Sequence, residues 1–280
     1  MRFVKMNGAG NDFIILDNRD GRFSEAQLSA LAKVVCHRRL SVGADGLMAV
    51  AKAQGSADYR MQFFNADGSM GEMCGNGARC ICRYGYEFGL AGETQTVETT
   101  AGVITGQRID RRNYRIRLND PSVLRLDVPL DLAGTVDSCA YVELGDPGIP
   151  HAIVPMPGLA ALTFDALRPL GRTIRSHPAF DKGANVNFYD ILGQDHLLLK
   201  TFERGVEDFT YACGTGTGSL VAVLCRKGLV SGNNVAVDMP GGRLWMDVRQ
   251  DGDSITDLYL TGPTNLVCQG ELTDETLSYI

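Results

Sequence analysis

The sequence Met73-Cys74-Gly75-Asn76-Gly77 decides the fold of this chain, because it recurs as Ala212-Cys213-Gly214-Thr215-Gly216. The offset from position 74 to position 213 is 139, close to half of the 280 residues. A repeat with that period predicts two halves of similar size and fold. Each half then has a cysteine followed by a glycine-rich turn at the start of a helix.

A second pair of segments repeats at nearly the same offset. Residues 10–15 and 148–153 each combine a glycine turn with a strand-like apolar run, 138 positions apart. The helices predicted after the two cysteines, over 75–88 and 214–227, each end before a glycine that suits a helix C-cap. Each half therefore carries the same strand, turn and helix.

The rest of the chain is rich in short β-type runs separated by Gly, Asp and Asn turns, at 59–64, 113–118, 197–202 and 257–260. Such a pattern predicts a strand-rich protein. Two further helices are predicted, one opened by the capping box of residues 24–27 and one over 164–175.

The helix after Cys213 is apolar on all sides over 219–225, which is typical of a helix enclosed by other elements. We therefore expect an α/β fold of the α+β type with two pseudo-symmetric domains, each a curled strand-rich barrel around a central helix. The expected domains are 1–118, completed by the returning segment 263–280, and 119–262.

Composition and charge exclude several classes of function. Hydrophobic residues make up 44% and charged residues 21%, which is the balance of a globular protein. The net charge of −6 gives no basic field for nucleic acid. The start of the chain lacks a signal-peptide core, and no apolar run reaches the roughly 18 residues of a membrane span. We expect a cytoplasmic protein that binds neither nucleic acid nor membrane and keeps its eight cysteines reduced.

The two repeated cysteines are the candidate catalytic groups. A helix start leaves backbone N–H groups and a partial positive charge, which attract an anion and favour the thiolate over the thiol. Symmetry predicts that Cys74 and Cys213 face one small anionic ligand across a cleft. One thiolate can then remove a proton from a stereocentre while the other thiol returns a proton to the opposite face. This chemistry requires no cofactor.

Three other interpretations compete with catalysis. A structural zinc site is disfavoured, because Cys80, Cys82 and the Cys36-His37 pair lack the paired spacing of zinc ligands, and we expect no metal. A non-catalytic protein could use both helix starts to hold a small anion. In a redox protein, Cys74 and Cys213 would form a disulfide, which is also a plausible inactive side state of an enzyme.

Four segments, 5–13, 64–69, 73–80 and 212–216, together resemble the diaminopimelate epimerases. The similarity extends to residues 239–242 and 261–262. The resemblance implies interconversion of LL- and meso-2,6-diaminopimelate in lysine and peptidoglycan precursor synthesis, without pyridoxal phosphate or metal. Cys74 and Cys213 are then the acid and base thiols. The small-molecule substrate is the expected partner, and a homodimer is compatible with the family.

The resemblance also implies roles for further residues. His151 and Glu203 match positions that tune the two thiols. Gly75, Asn76, Gly214 and Thr215 would bind the reacting end of the substrate. The remaining matched substrate-binding positions, several of them at the distant amino-acid head group, are Asn11, Asn65, Asn187, Glu203 and Arg204.

Several positions depart from the family pattern. Ile149 stands where the family often has a substrate-contacting asparagine, and the segment 203–212 is one residue longer than usual. Gly46 replaces a substrate-facing glutamine of some members, and Cys268 replaces a tyrosine linked to dimer contact. These departures leave the thiol pair intact but keep open the racemisation of another amino acid, such as histidine, by the same mechanism.

Overall fold

The computed structural model describes residues 1–71, 74–132, 136–273 and 275. Met73 of the repeated motif, and residues 274 and 276–280 of the expected returning segment, lie outside the described residues. The chain divides into two compact units, one formed by Met1–Ile116 with Gly262–Ile280 and the other by Arg117–Thr261.

Four α-helices and seventeen strands make up the described secondary structure. The helices are α1 Glu25–Val35, α2 Gly75–Glu87, α3 Phe164–Arg175 and α4 Gly214–Arg226, with one 3-10 turn at Leu159–Ala161. The strands are β1 Arg2–Gly8, β2 Asn11–Asp17, β3 Gly46–Ala51, β4 Tyr59–Asn65, β5 Thr94–Thr99, β6 Gly102–Arg108, β7 Asn113–Arg117, β8 Pro121–Leu132, β9 Val136–Leu144, β10 Ile149–Pro155, β11 Asn185–Gly193, β12 His196–Glu203, β13 Asp208–Thr210, β14 Val235–Met239, β15 Gly242–Asp251, β16 Ser254–Pro263 and β17 Asn265–Glu271.

The first unit is a curled sheet with the strand order β17-β1-β2-β3-β4-β5-β6-β7. The pairs β2–β3 and β4–β5 are parallel, and the other pairs are antiparallel. Helix α2 packs against β1, β2 and β6, so strands far apart in the order enclose the same helix. Its residues from Gly75 to Gly85 are all buried.

The second unit repeats this plan with the order β8-β9-β10-β11-β12-β14-β15-β16. Its parallel pairs, β10–β11 and β12–β14, occupy the same places in the order as those of the first unit. Helix α4 takes the place of α2 and packs against β8, β9, β10, β11 and β15. The pseudo-symmetric, strand-rich fold expected from the sequence is therefore confirmed.

The local sequence accounts for the helix ends. Helix α1 has the predicted capping box, in which Gln27 N–H donates to Ser24 Oγ and Ser24 N–H donates to Gln27 Oε1, at 3.4 and 2.9 Å. Helices α2 and α4 end one residue earlier than predicted. Gly89 and Gly228 follow their C-caps with φ of 67° and 69°, which is the left-handed conformation that favours glycine.

The outer helices α1 and α3 supply one further apolar layer to each unit. Leu28, Leu31, Ala32 and Val35 of α1 form one buried face, spaced as a helical stripe. Helix α3 buries Leu167, Gly171 and Ile174 in the second unit. Within the described ranges, every helix is too short or too polar to span a bilayer.

Candidate active site

Cys74 is the N-cap of α2 in the first unit. Its φ and ψ of −123° and 115° are extended, so the helix begins directly after the thiol. The first N–H groups of a helix have no partner within the helix, and they point toward the N-cap. A Cβ at Gly77 would lie 2.1 Å from Met48 Cε and 3.5 Å from Cys74 Cβ, so the first turn of α2 packs closely against β3.

Two predicted substrate-binding amides meet at this helix start. Asn76 Nδ2 donates to Asn11 Oδ1 at 2.5 Å, and Asn11 Nδ2 donates to Asp45 Oδ2 at 3.2 Å. Asn76 Oδ1 accepts a hydrogen bond from Arg79 Nη2 at 2.8 Å. The orientation of each amide is therefore fixed, with its oxygen and nitrogen assigned by a partner of known polarity.

Asp45 connects the segments of the chain that surround Asn11. Its carboxylate accepts from Asn11 and Arg38, and its backbone oxygen accepts from Ala66 N–H at 3.2 Å. Asp12 also binds Arg38, and Lys5 lies 3.0 Å from Asp12 Oδ2. Burial opposes ionisation of Asp12, but its hydrogen bonds with Arg38 and Lys5 lower its pKa below the ordinary value. Ion pairs between these side chains thus hold the segments around Asn11 together.

Asn65 and Gly46 face each other on the paired strands β4 and β3. Asn65 ends β4 beside Gly46 in register, and its Nδ2 donates to Ser69 Oγ at 3.0 Å. A Cβ at Gly46 would lie 2.5 Å from Phe63 Cε2 and 2.7 Å from Phe64 O. A longer side chain at position 46, such as glutamine, would therefore collide with Phe63 and with the backbone of Phe64.

Cys213 is the N-cap of α4 in the second unit, with a backbone almost identical to that of Cys74, φ −121° and ψ 110°. Gly216 N–H donates to its Sγ at 3.3 Å, and Thr215 Oγ1 lies 3.6 Å from the same sulfur. The first turn of α4 therefore contacts the sulfur through Gly216 and Thr215. Thr217 Oγ1 also donates to Cys213 O at 2.8 Å, which fixes the first turn.

The protonation of Cys213 differs from the simple expectation for a helix start. Burial raises the pKa of this thiol well above its ordinary value, and the charge of Glu203 raises it further. The bonds from Thr215 and Gly216 act in the opposite direction but are outweighed. The physical reason is desolvation, because the hydration free energy that a buried thiolate loses exceeds the stabilisation that these two hydrogen bonds provide. In this structure Cys213 is a thiol at neutral pH.

Glu203 and Arg204, adjacent in sequence, lie in different surroundings. Glu203 ends β12, where Thr210 Oγ1 donates to its Oε1 at 2.8 Å, and its carboxylate is close enough to Cys213 to affect that thiol. Arg204 starts the following turn, where its N–H donates to Asn185 Oδ1 at 2.9 Å and its Nη1 donates to Lys182 O at 2.8 Å. Only Glu203 of this predicted pair is placed beside the thiol.

Asn187 lies beneath the start of α4 and is fully buried. Its Nδ2 donates to Ala152 O at 3.2 Å, and its Oδ1 accepts from Thr201 Oγ1 at 3.0 Å. A Cβ at Gly216 would lie 2.3 Å from Asn187 Oδ1. The structure therefore shows Asn187 supporting the helix start, and its contact with substrate stays a prediction.

His151 is also fully buried, next to Asn187. Burial, with a smaller contribution from the charge of Arg204, lowers the pKa of His151 to about 3, so the ring is neutral at pH 7. Its Nδ1 lies 3.1 Å from Asn187 Nδ2, which donates, so the ring proton belongs on Nε2. His151 Nε2 has no hydrogen-bond partner among the described residues. The predicted tuning of a thiol by His151 stays a prediction.

The side chains Asp45, Thr217 and Arg79 contribute to these two sites and were missed by sequence reasoning. The sequence did contain a signal for Arg79. The repeat offset of 139 aligns Arg79 with Gly218, so the two helices differ in charge at this position of the repeat. The described residues contain no group of three or more His, Cys, Asp or Glu side chains arranged to hold a metal ion.

Comparison with known proteins gives one consistent family. A model described as diaminopimelate epimerase matches residues 3–118 and 145–267. The chain is 38% identical to a diaminopimelate epimerase of Methanothrix thermoacetophila over 99% of this chain and 98% of that one. It is 36% identical to one of Aquifex aeolicus over 100% of both chains. The crystal structure of a putative phenazine biosynthesis PhzC/PhzF protein from Clostridium difficile shares the fold, with a TM-score of 0.70, 14% identity and coverage of 98% and 99%.

Proposed function

Because this chain belongs to the diaminopimelate epimerase family, we propose that it interconverts LL- and meso-2,6-diaminopimelate by a two-base thiol mechanism. The reaction serves lysine and peptidoglycan precursor synthesis and uses neither pyridoxal phosphate nor metal. Each compact unit acts as one epimerase domain. The cytoplasm as location and a homodimer as assembly remain expectations from the sequence and its family resemblance.

One observation carries the proposal, namely that both units place a cysteine at the same point of the same element. Cys74 and Cys213 are the N-caps of helices of 13 residues, and their backbone angles differ by only a few degrees, at −123° and 115° against −121° and 110°. Packing alone does not require a thiol at both positions. A reaction that removes a proton from one face of a carbon and adds one to the other does require two such groups.

The proposed chemistry follows from the helix starts. The free N–H groups of each first turn bind carboxylate oxygens, and they stabilise the negative charge that develops when the α-carbon loses its proton. One sulfur takes the α-proton as its thiolate becomes a thiol. The other sulfur gives its proton to the opposite face of the carbon as its thiol becomes a thiolate. Configuration inverts, and no electrons are exchanged with an acceptor.

The remaining predicted residues have proposed roles that fit their chemistry. Gly75, Asn76, Gly214 and Thr215 bind the reacting end of the substrate. His151 and Glu203 adjust the two thiols, and the effect of Glu203 on the pKa of Cys213 supports this role. Amides and charged groups suit the ammonium and carboxylate of the distant head group, and this set contains Asn11, Asn65, Asn187, Glu203 and Arg204.

Deuterium incorporation at the α-carbon tests the proposal directly. LL-diaminopimelate and, separately, a mixture of L-amino acids that includes histidine are incubated in D2O with reduced enzyme, and NMR follows loss of the α-proton signals. Variants Cys74→Ala and Cys213→Ala run beside the wild type. Cys268→Ala is the matched control, because this exposed thiol lies on β17 and outside either helix start.

We expect rapid exchange in diaminopimelate only, lost in both helix-start variants and kept in Cys268→Ala. Exchange in another amino acid instead would retain the thiol mechanism and replace the substrate, as Ile149 allows. Absence of exchange in every substrate would overturn the enzymatic proposal and favour a protein that only binds a small anion. Added reductant separates either result from inactivation by a disulfide.

A further inference from the structure

Arg79 is the largest fully buried side chain among the described residues, with 0% of its surface exposed. Its Nη1 donates to Gly75 O at 3.2 Å and its Nη2 to Asn76 Oδ1 at 2.8 Å. Its Nε has no hydrogen-bond partner, and no carboxylate of the described chain forms an ion pair with it. The guanidinium thus lies in the interior without a fixed counter-ion.

An unpaired buried cation is unfavourable, since the charge loses its hydration and gains no opposite charge in return. Neighbouring Arg83 shows the usual solution one turn later. Arg83 is also buried, but it lies 3.5 Å from Glu87 and donates to Thr264 O at 2.7 Å. These two arginines therefore differ in that a carboxylate balances the charge of Arg83, whereas the acceptors of Arg79 are neutral oxygens.

Helix geometry places the charge of Arg79 at the start of α2. Side chains of a helix lean toward its N-terminus, and Arg79 reaches back to residues 75 and 76 of the first turn. Its charge therefore adds to the partial positive charge of the helix end. Arg79 therefore has two effects beside Cys74, the N-cap of α2: it fixes the Asn76 amide, and it adds positive charge to the helix start.

Two sulfurs of α2 interact electrostatically with the guanidinium, that of Cys74 at the N-cap and that of Cys80 in the helix. Burial lowers the pKa of Arg79 to about 10, so the guanidinium stays charged at neutral pH, and negative charge on Cys80 or Cys74 would raise that pKa. Cys80 is fully buried, which raises its pKa to about 12 and keeps it a thiol. Cys74 is only partly buried, so its sulfur keeps more contact with water than that of Cys80.

At the matching position of the second unit, which the structure describes, there is no cation. Gly218 occupies the matching position, where a Cβ would lie 3.0 Å from Leu118 Cδ1 and 3.3 Å from Leu258 Cδ2. The charge near Cys213 is instead negative, from Glu203. The two cysteines therefore share backbone geometry but have opposite electrostatic surroundings.

We propose that Arg79 is a positioning residue that stabilises the thiolate form of Cys74, so that the resting protein holds Cys74 as thiolate and Cys213 as thiol. The inference rests on the proposed function only in taking these two thiols as the reacting pair.

Other charges near α2 are already engaged or exposed. Lys5 and Asp12 pair with each other at 3.0 Å, Asp17 pairs with Arg19 at 2.7 Å and Arg108 pairs with Glu93 at 2.9 Å. The charged groups on the strands packed against α2 are Arg2, Lys5, Asp12, Asp17 and Arg108. The titratable groups of the helix itself are Arg79, Cys80, Cys82, Arg83, Tyr84, Tyr86 and Glu87.

The test measures alkylation of each thiol against pH. Folded protein without substrate reacts with iodoacetamide, and mass spectrometry of the peptides gives separate rates for Cys74 and Cys213. The wild type, Arg79→Met, Arg79→Lys and Arg83→Met are compared, with circular dichroism to check folding. Arg83→Met is the matched control, because it removes a buried arginine of the same helix whose charge Glu87 already neutralises.

We expect the midpoint pH of Cys74 to lie below that of Cys213 in the wild type and to rise by about one unit or more in Arg79→Met. Arg79→Lys keeps the charge and retains most of the low midpoint, and Arg83→Met leaves it unchanged. An equal midpoint in folded Arg79→Met and wild type would overturn the inference. If Arg79→Met does not fold, a wild-type midpoint of Cys74 at or above that of Cys213 would overturn it. Because no substrate is present, failure of the proposed epimerisation leaves this measurement unaffected.

Discussion

Asn76 and Asn11, 65 positions apart in the chain, are joined by a hydrogen bond of 2.5 Å from Asn76 Nδ2 to Asn11 Oδ1. Asn11 is itself held by Asp45, and Asn76 by Arg79. The four side chains form one hydrogen-bonded series from Asp45, just before β3, to the first turn of α2. The position of the Asn76 amide therefore depends on residues that need not touch a substrate.

Replacement of Asn11 should weaken substrate binding. Asn11→Ala removes the acceptor of Asn76 Nδ2, so we expect KM to rise about tenfold, or about 1.4 kcal/mol, with a smaller change in kcat. Steady-state rates of α-proton exchange measure both constants. Asn265→Ala is the control, because it removes a comparable asparagine pair, Asn265 Nδ2 to Asn7 Oδ1 at 2.9 Å, away from the helix start. Equal KM values for the two variants would contradict the assignment.

The carboxylate of Glu203 should control the ionisation of Cys213. Burial is the largest cause of the raised pKa of this thiol, and the negative charge of Glu203 is the next. Glu203→Gln removes that charge, so the pH midpoint for alkylation of Cys213 should fall by about one unit. Peptide mass spectrometry after iodoacetamide treatment gives the midpoint.

The matched control for this experiment is Glu207→Gln. Glu207 lies in the same turn but is half exposed and accepts from Arg175 Nε at 2.8 Å. We expect the pH midpoint for alkylation of Cys213 in Glu207→Gln to equal that of the wild type. A midpoint in Glu203→Gln that stays the same or rises would show that the carboxylate does not act on the thiol.

His151 should make the second unit sensitive to acid. Its pKa is lowered from 6.5 to about 3 by burial, so the unfolded chain binds more protons than the folded protein between these values. The contribution of the neutral ring to the free energy of unfolding is therefore fully present above pH 6.5. It falls by about 1.4 kcal/mol per pH unit as the pH drops toward 3. His151→Gln should lose about 2 kcal/mol less than the wild type between pH 7 and pH 5.

Urea unfolding at each pH, followed by fluorescence of Trp245, measures this difference. Trp245 is the single tryptophan of the chain and lies in the same unit as His151. His177→Gln serves as the control, because its ring lies nearer the surface and its Nδ1 accepts from Ala179 N–H at 3.2 Å. Parallel pH profiles for His151→Gln and wild type would refute the assigned cause.

Gly216 should tolerate no side chain. A Cβ there would lie 2.3 Å from Asn187 Oδ1 and 3.2 Å from Cys213 Sγ. Since Asn187 is fixed by Thr201 and Ala152, Gly216→Ala must displace the helix start, at a cost of about 1–3 kcal/mol in stability. We expect at least a tenfold lower exchange rate. Gly193→Ala, with nothing within 4 Å of its Cβ, should match wild type in thermal unfolding and rate. A wild-type rate in Gly216→Ala would disprove the steric argument.

The repeat alone was enough to predict the main features of the fold. Two cysteines at an offset of 139, each before a glycine-rich helix, predicted two units with the same helix at the same place. Local sequence also predicted α1 from its capping box and α3 over Phe164–Arg175. These features depend on residues within one turn or one period, so they can be read without knowing the path of the chain.

The two thiol environments were decided only by the tertiary structure. The charge of Glu203 at Cys213, the hydrogen bond between Asn11 and Asn76, and the burial of Arg79 all join or enclose residues brought together by folding. A helix start predicts a stabilised thiolate, but desolvation has a larger effect on Cys213, and no local pattern reports it. The sequence by itself determined where the two sulfurs lie on their helices. The folded chain determined their ionisation, because removal from water and charge at a distance depend on neighbours in space.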